Sequence, residues 1–123
     1  MQLKDYKSAM EICDKGIDIS NGQKSNMLAC LHLQRGLLNT KLNDKDLNND
    51  FSAALDWYDS QIKSDESNIE AIGNKALILC YMDKKDEAIE YLTTIHNEKI
   101  ESMIKDLIIK IKDFKTETVI NKL

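Results

Sequence analysis

One short pattern occurs twice in this chain and constrains its fold more than any other feature. Residues 34–38 and 74–78 both read amide, cation, small residue and two aliphatic residues. A second pattern, in which an alanine stands among aliphatic and aromatic residues, follows each copy at 53–58 and 87–92. The first pair lies 40 residues apart and the second pair 34. A repeat of this length, built from two helical patterns, is typical of stacked helical hairpins and favours an interaction scaffold over an enzyme.

The composition is that of an ordinary globular chain. The 123 residues are 42% hydrophobic and 31% charged, with a net charge of −4, which predicts one domain with a buried core. The negative balance does not favour nucleic acid or an anionic membrane surface as a partner. No apolar run reaches the roughly 18 residues that span a bilayer, and the first residues lack the apolar stretch of a secretory signal peptide. We therefore expect a cytoplasmic protein without membrane insertion.

The spacing of apolar residues predicts six helices. Proline is absent and glycine occurs four times, which favours a nearly all-helical chain. The helices are expected near 4–19, 25–41 and 50–64, after a cap at Ser67 or Asn68, after a cap at Asp83, and near 98–115. In the last helix the predicted apolar face comprises Ile100, Met103, Ile104, Leu107, Ile108, Ile111 and Phe114.

The sequence also predicts the burial or the role of individual residues in and between these helices. Cys13, Cys30 and Cys80 lie within apolar helical patterns and are expected to be buried, reduced thiols. Of Trp57 and Tyr58, one should pack inside and the other should face outward. Asn21 and Gly22 should end the first helix.

The repeated patterns resemble tetratricopeptide repeats (TPRs). In that family a small residue in helix A lets the helices approach closely, and an alanine follows in helix B twelve residues later. Ala76 and Ala88 match this spacing, whereas Gly36 and Ala54 are 18 apart, as if the loop between them had gained six residues. The resemblance implies an all-α fold, namely a short right-handed TPR-like helical-hairpin array with a C-terminal capping helix.

The resemblance also implies a layout for a single TPR-like domain, 1–123. The first helix resembles a helix B without its helix A, and no proline closes either repeat. The segments are a half repeat at 4–19, a repeat at 25–64 with a loop insertion at 42–49, a repeat at 67–96, a capping helix at 98–115 and a frayed tail at 116–123.

A partner-binding surface follows from the same resemblance, because helix A lines the concave groove of TPR arrays. The matching positions are Leu33, Gln34, Leu37, Asn74, Leu77 and Tyr81. Their amides can hydrogen-bond a peptide backbone, and their leucines and tyrosine can accept apolar side chains. The expected function is a non-enzymatic protein–protein interaction module or scaffold that docks a partner peptide or helix. Alternatively, the leucines pack on the capping helix, which would then occupy the groove.

Two further statements about partners follow. The TPRs that bind chaperone C-terminal tails use a clamp of lysine, asparagine and arginine side chains. Leu33, Leu37 and Glu70 stand at three clamp positions here, and a glutamate repels a carboxylate, so this partner is disfavoured. The alternative function is a structural subunit or fragment of a larger TPR solenoid, which would self-associate or pair through its unpartnered first helix.

Signals for metal binding and catalysis are weak. Residues 44–50 begin like a calcium loop but lack the glycine at its sixth position and the glutamate at its twelfth. Cys30 and His32 lie about 200° apart around a helix, so they cannot hold one ion together. The chain contains no Gly-rich phosphate loop, nucleophile elbow or HExxH motif. We expect no cofactor and no metal.

Overall fold

The computed structural model describes residues 3–20, 23–43 and 49–115, which form α-helices joined by turns and irregular segments and contain no strand. The helices are α1 (Leu3–Ser20), α2 (Asn26–Asn43), α3 (Asp50–Ser64), α4 (Ile69–Tyr81), α5 (Lys85–Thr93) and α6 (Glu101–Asp113). The all-α prediction is confirmed. None of these described helices is both long enough and apolar enough to cross a membrane. The expected break at Asn21 and Gly22, residues 44–48 of the loop insertion, and the tail 116–123 lie outside the described residues.

The chain divides into two compact units, and the division falls within α3, after Trp57. Unit 1 contains α1, α2 and the first half of α3. Unit 2 contains the second half of α3 together with α4, α5 and α6.

In unit 1, α1 and α2 pack against each other through the face of α1 that the sequence predicts. Tyr6 and Cys13 of α1 are buried together with Leu38 of α2. Gly16 permits a close approach, because a Cβ atom at this position would lie 2.8 Å from Cδ1 of Leu31. Small and apolar residues at a spacing of three and four therefore set the distance between these helices.

The first half of α3 approaches α2 at the glycine of the first repeated pattern. A Cβ atom on Gly36 would lie 2.8 Å from the ring of Phe51, and Ala54 is completely buried. Of the two neighbouring aromatic residues, Tyr58 is buried, whereas Trp57 donates its Nε1–H to Oδ1 of Asn26 at 2.7 Å. Tyr58 is thus the residue that packs inside.

In unit 2, α4 and α5 form a helical hairpin and α6 packs against both of its helices. The alanines of the two repeated patterns, Ala76 and Ala88, are both 0% exposed. Leu92 is equally buried. Asn68 caps α4 as predicted, since its Oδ1 accepts a hydrogen bond from the backbone N–H of Ala71 at 3.1 Å.

The apolar face of α6 is narrower than its sequence predicts. Ile104 and Ile111 are buried, as is Ile100 directly before the helix. Met103 lies at the edge of this face and is 47% exposed, so the prediction that it belongs to the buried stripe is wrong. Its position, about 100° around the helix from Ile104, turns it away from α4 and α5.

The prediction that Asp83 caps α5 is also wrong, because Asp83 ends α4 instead. Its φ is 60°, and its N–H donates to the carbonyl of Cys80 at 3.0 Å. The next N–H, from Lys84, donates to the carbonyl of Leu79 at 2.8 Å. These two bonds and the left-handed residue between them make a Schellman motif. Lys84 then precedes α5 without a side-chain cap.

The cysteines do not share one environment. Cys13 and Cys80 are buried, as predicted, and burial raises the pKa of both thiols. Cys30 is exposed, so the prediction of a buried thiol is wrong there. Its neighbour Ala29 occupies the buried side of α2, and successive helix residues point about 100° apart.

Candidate functional site

Three of the predicted partner-binding residues share one flank of α2 in unit 1. Leu33 and Leu37 lie about one helical turn apart and are half-buried, and Gln34 between them is exposed. Gln34 Oε1 accepts a weak hydrogen bond from the Cys13 thiol, with sulfur and oxygen 3.9 Å apart. Within unit 1 the flank therefore presents an aliphatic pair beside an amide.

The other three predicted residues, which belong to unit 2, are half-buried on α4: Asn74, Leu77 and Tyr81. Part of α6 lies against the same helix. The ring of Phe114, which follows α6, meets the ring of Tyr81 edge-on with centroids 5.7 Å apart. A Cβ atom on Gly73 would lie 3.6 Å from Leu107 of α6. Burial raises the pKa of Tyr81. A partner that reaches Asn74 and Leu77 must therefore bind beside α6.

A buried ion cluster joins the three helices of unit 1, and the sequence analysis did not predict it. Asp50, the first residue of α3, is 0% exposed. Arg35 donates Nε–H to Asp50 Oδ2 at 2.9 Å and an Nη2–H to Oδ1 at 2.8 Å. A third bond runs from Arg35 Nη1–H to Asp14 Oδ1 of α1 at 2.8 Å. This bidentate geometry suits arginine and cannot be reproduced by lysine.

The hydrogen bonds of the cluster keep its arginine charged. The bond to Asp50 raises the pKa of Arg35 above its ordinary value. His32 Nδ1 lies 2.7 Å from Asp50 Oδ1. A carboxylate only accepts hydrogen bonds, so Nδ1 donates to Asp50.

The cluster changes the interpretation of two residues. Asp50 would be the last ligand position in the calcium-like run at 44–50, yet both of its carboxylate oxygens bind Arg35 or His32. His32 belongs to the same cluster through its hydrogen bond to Asp50. The sequence does contain one signal for the ion cluster, because the only arginine of the chain lies three residues from a histidine. This spacing puts both side chains on one helix face. Within the described ranges no three His, Cys, Asp or Glu residues are grouped to hold a metal.

A cavity of about 180 Å³ lies between α2 and α3 in unit 1. Ser25 caps α2 at its edge by accepting a hydrogen bond from the N–H of Leu28 at 3.1 Å. The bond from Trp57 to Asn26 holds the indole ring in the wall. The lining residues are Lys24, Ser25, Leu28, Ala29, His32, Ala53, Asp56 and Trp57. The cavity thus combines apolar walls with one side of a histidine ring.

Unit 2 has a cavity of about 300 Å³ beside α5. Its wall includes Tyr91, whose ring lies under the Lys75 ammonium group at 4.2 Å. Lys75 also pairs with Asp59 at 2.8 Å. Glu66 and His96 line this cavity too, but both are exposed. We assign no chemistry to it, because the exposed acid and base have no third group that orients them.

Unit 1 also exposes large apolar side chains. Ile12 and Ile19 of α1 are 67% and 82% exposed, and Met27 of α2 is 74% exposed. Ile12 and Ile19 lie seven residues apart, hence on one side of α1. An exposed apolar stripe of this kind is a candidate contact surface.

Comparison of the chain with protein-family models, with curated proteins and with solved structures gives no match. The resemblance to TPRs consequently rests on the repeated residues alone. Any function must be argued from the side chains that the two units present.

Proposed function

We propose that this chain is a TPR-like protein-interaction module that docks a peptide or helix of a partner without catalysing a reaction. The burial of small residues supports the TPR-like assignment. Gly36 and Ala54 are close-packed in unit 1, and Ala76 and Ala88 in unit 2. In unit 2 a further helix packs against both members of a hairpin, which is the way in which solenoid repeats bury their apolar faces.

The proposed binding surface is the flank of α2 formed by Leu33, Gln34 and Leu37. An extended peptide would place apolar side chains on Leu33 and Leu37 while its backbone hydrogen-bonds the exposed amide of Gln34. Asn74 and Leu77 of unit 2 supply the same chemistry, an amide beside an aliphatic side chain. The ordering of a flexible peptide opposes binding, so moderate affinity and transient association are expected. Three free thiols support a cytoplasmic location.

Peptides selected from a displayed library against the purified chain test this function. Leu33→Asp should weaken the selected peptides by about ten-fold or more, because a carboxylate replaces an apolar contact at the centre of the surface. Met27→Asp is the matched control, since Met27 is an exposed apolar residue on the same helix outside the predicted set. Circular dichroism should show that both variants stay helical. Equal affinity for the two variants would contradict the proposal.

Self-association is the second candidate function, and the exposed stripe of α1 favours it. Ile12 and Ile19 would be covered if a second copy packed on this helix. Sedimentation velocity over a wide concentration range should then show dimers that the double variant Ile12→Lys, Ile19→Lys no longer forms. Ile109→Lys on α6, where Ile109 is 59% exposed, should leave the dimers intact. A wild-type monomer at every concentration would exclude this candidate.

A further inference from the structure

The cavity between α2 and α3 contains a polar group that the proposed peptide-binding flank does not use. His32 is held by Asp50 at 2.7 Å and retains 18% of its side-chain surface. His32 lines the cavity, and because its Nδ1 bonds to the carboxylate, Nε2 is the ring nitrogen left for a ligand. Asp50 is itself held by Arg35, so the imidazole has a fixed orientation.

The size and walls of the cavity are suited to a single flat ring. An apolar cavity of about 150 Å³ holds one benzene molecule, and the volume here is about 180 Å³. Leu28, Ala29, Ala53 and Trp57 supply the apolar walls.

The two charged residues at the cavity, one basic and one acidic, do not favour a charged ligand. Lys24 and Asp56 both line it and both are exposed. Their opposite charges offset each other, and solvent screens them further. The specificity must therefore come from the histidine.

We propose that this cavity binds a phenolic ring. The hydroxyl group forms a hydrogen bond with His32 Nε2, and the ring packs against Trp57, Leu28 and Ala53. A hydroxyl group suits this nitrogen because it can both donate and accept a hydrogen bond. A phenol joins the hydroxyl group to a single six-membered ring, which matches both the polar and the apolar parts of the cavity. The ring comes either from a free phenol or from a tyrosine side chain of a polypeptide.

The only tryptophan of the chain gives a direct readout. Trp57 lines the cavity and its indole N–H is hydrogen-bonded to Asn26, so one indole signal in a ¹H–¹⁵N spectrum reports occupancy. Titration with p-cresol should shift this signal saturably, with a dissociation constant on the order of 1 mM for a ligand of this size. Toluene lacks the hydroxyl group and should bind about three- to ten-fold more weakly.

A cavity-filling variant localises the binding. Ala53→Leu places a larger side chain in the cavity and should abolish the saturable shift. Ser52→Leu is the matched control, because Ser52 is the exposed neighbour on the same helix and should leave p-cresol binding unchanged. The absence of a saturable shift, or the same shift in Ala53→Leu, would overturn the proposal. Toluene binding as tight as p-cresol binding would overturn the role of His32.

A third arm distinguishes the two sources of the ring. A short capped alanine peptide with one central tyrosine should bind at least as well as p-cresol if the natural ligand is a polypeptide. Binding of p-cresol without binding of this peptide assigns the cavity to a free phenol. Either result supports a phenolic site. The proposal is independent of the α2 flank, since the Leu33→Asp variant leaves every cavity-lining residue in place.

Discussion

Asp50 lies at the centre of the buried ion cluster of unit 1. It is completely buried and holds both Arg35 and His32. Asp50→Asn would leave the guanidinium, which is 15% exposed, with Asp14 as its remaining carboxylate. We expect the free energy of unfolding to fall by about 3–5 kcal/mol, as for other broken buried ion pairs. Urea denaturation measures this loss.

Asp14→Asn is the control for that prediction. Asp14 contacts the same guanidinium but its side chain is 51% exposed. An exposed ion pair contributes about 1 kcal/mol or less, so Asp14→Asn should be nearly neutral. Equal losses for the two variants would show that burial does not govern the cluster.

The glycines offer a second comparison of single residues. Gly36→Ala should lower the free energy of unfolding by about 1–3 kcal/mol, because the new Cβ would lie 2.8 Å from the ring of Phe51. Gly73→Ala should raise it by up to about 1 kcal/mol, since alanine favours helix and its Cβ would lie at an ordinary 3.6 Å from Leu107. Thermal unfolding of both variants checks the signs. A stabilising Gly36→Ala would contradict the close approach.

The sequence predicts the close packing at Gly36 but not the ion cluster around Asp50. Gly36 is recognisable from the sequence as a position of close helix approach, because the second copy of the pattern has the small residue Ala76 there. The Asp50 cluster is not recognisable from the sequence, because its residues come from three helices and meet only when those helices pack. Periodicity reports the face on which a residue lies but not the partner that it meets.

At the scale of the helices, the left-handed backbone conformation of Asp83 at the end of α4 can be tested by substitution. Asp83 has a φ of 60°, a conformation that costs an ordinary residue energy and glycine very little. Asp83→Gly should raise the free energy of unfolding by about 0.5–1 kcal/mol. Asp83→Val should lower it, because a β-branched residue disfavours this φ. If Asp83 instead capped α5, the glycine variant would be destabilising.

The helices were the most predictable part of the fold, and their ends and exposed edges the least. Apolar spacing located α3 at its observed bounds, 50–64, because three- and four-residue steps mark a continuous buried face. Asp83 was assigned to the wrong helix because an aspartate between two helices can end one or begin the next. The cavity was not predictable, since its walls combine residues of α2 and α3 that are distant in the sequence.

For the whole molecule, the buried thiols and phenols predict a loss of stability at high pH. Burial raises the pKa of Cys13, Cys80 and Tyr81. An unfolded thiol ionises near its ordinary pKa of 9.0, while the folded thiol keeps its proton. The unfolded state therefore binds fewer protons above this pH, and the free energy of unfolding falls as pH rises. Below pH 9 the contribution of the thiols is fully present.

Urea denaturation at pH 8 and pH 10 measures this slope. Cys13→Ala and Cys80→Ala should each flatten it, because each removes one shifted group. Cys30→Ala is the control, since Cys30 is exposed. A slope that depends on Cys30 alone would contradict the assignment of burial.

The central claim is that this chain binds a partner polypeptide through the flank of α2. Hydrogen–deuterium exchange of the chain with and without its tightest selected peptide tests this claim most directly. We predict slower exchange across residues 33–37. Protection confined to α1, or no protection across residues 33–37, would contradict it.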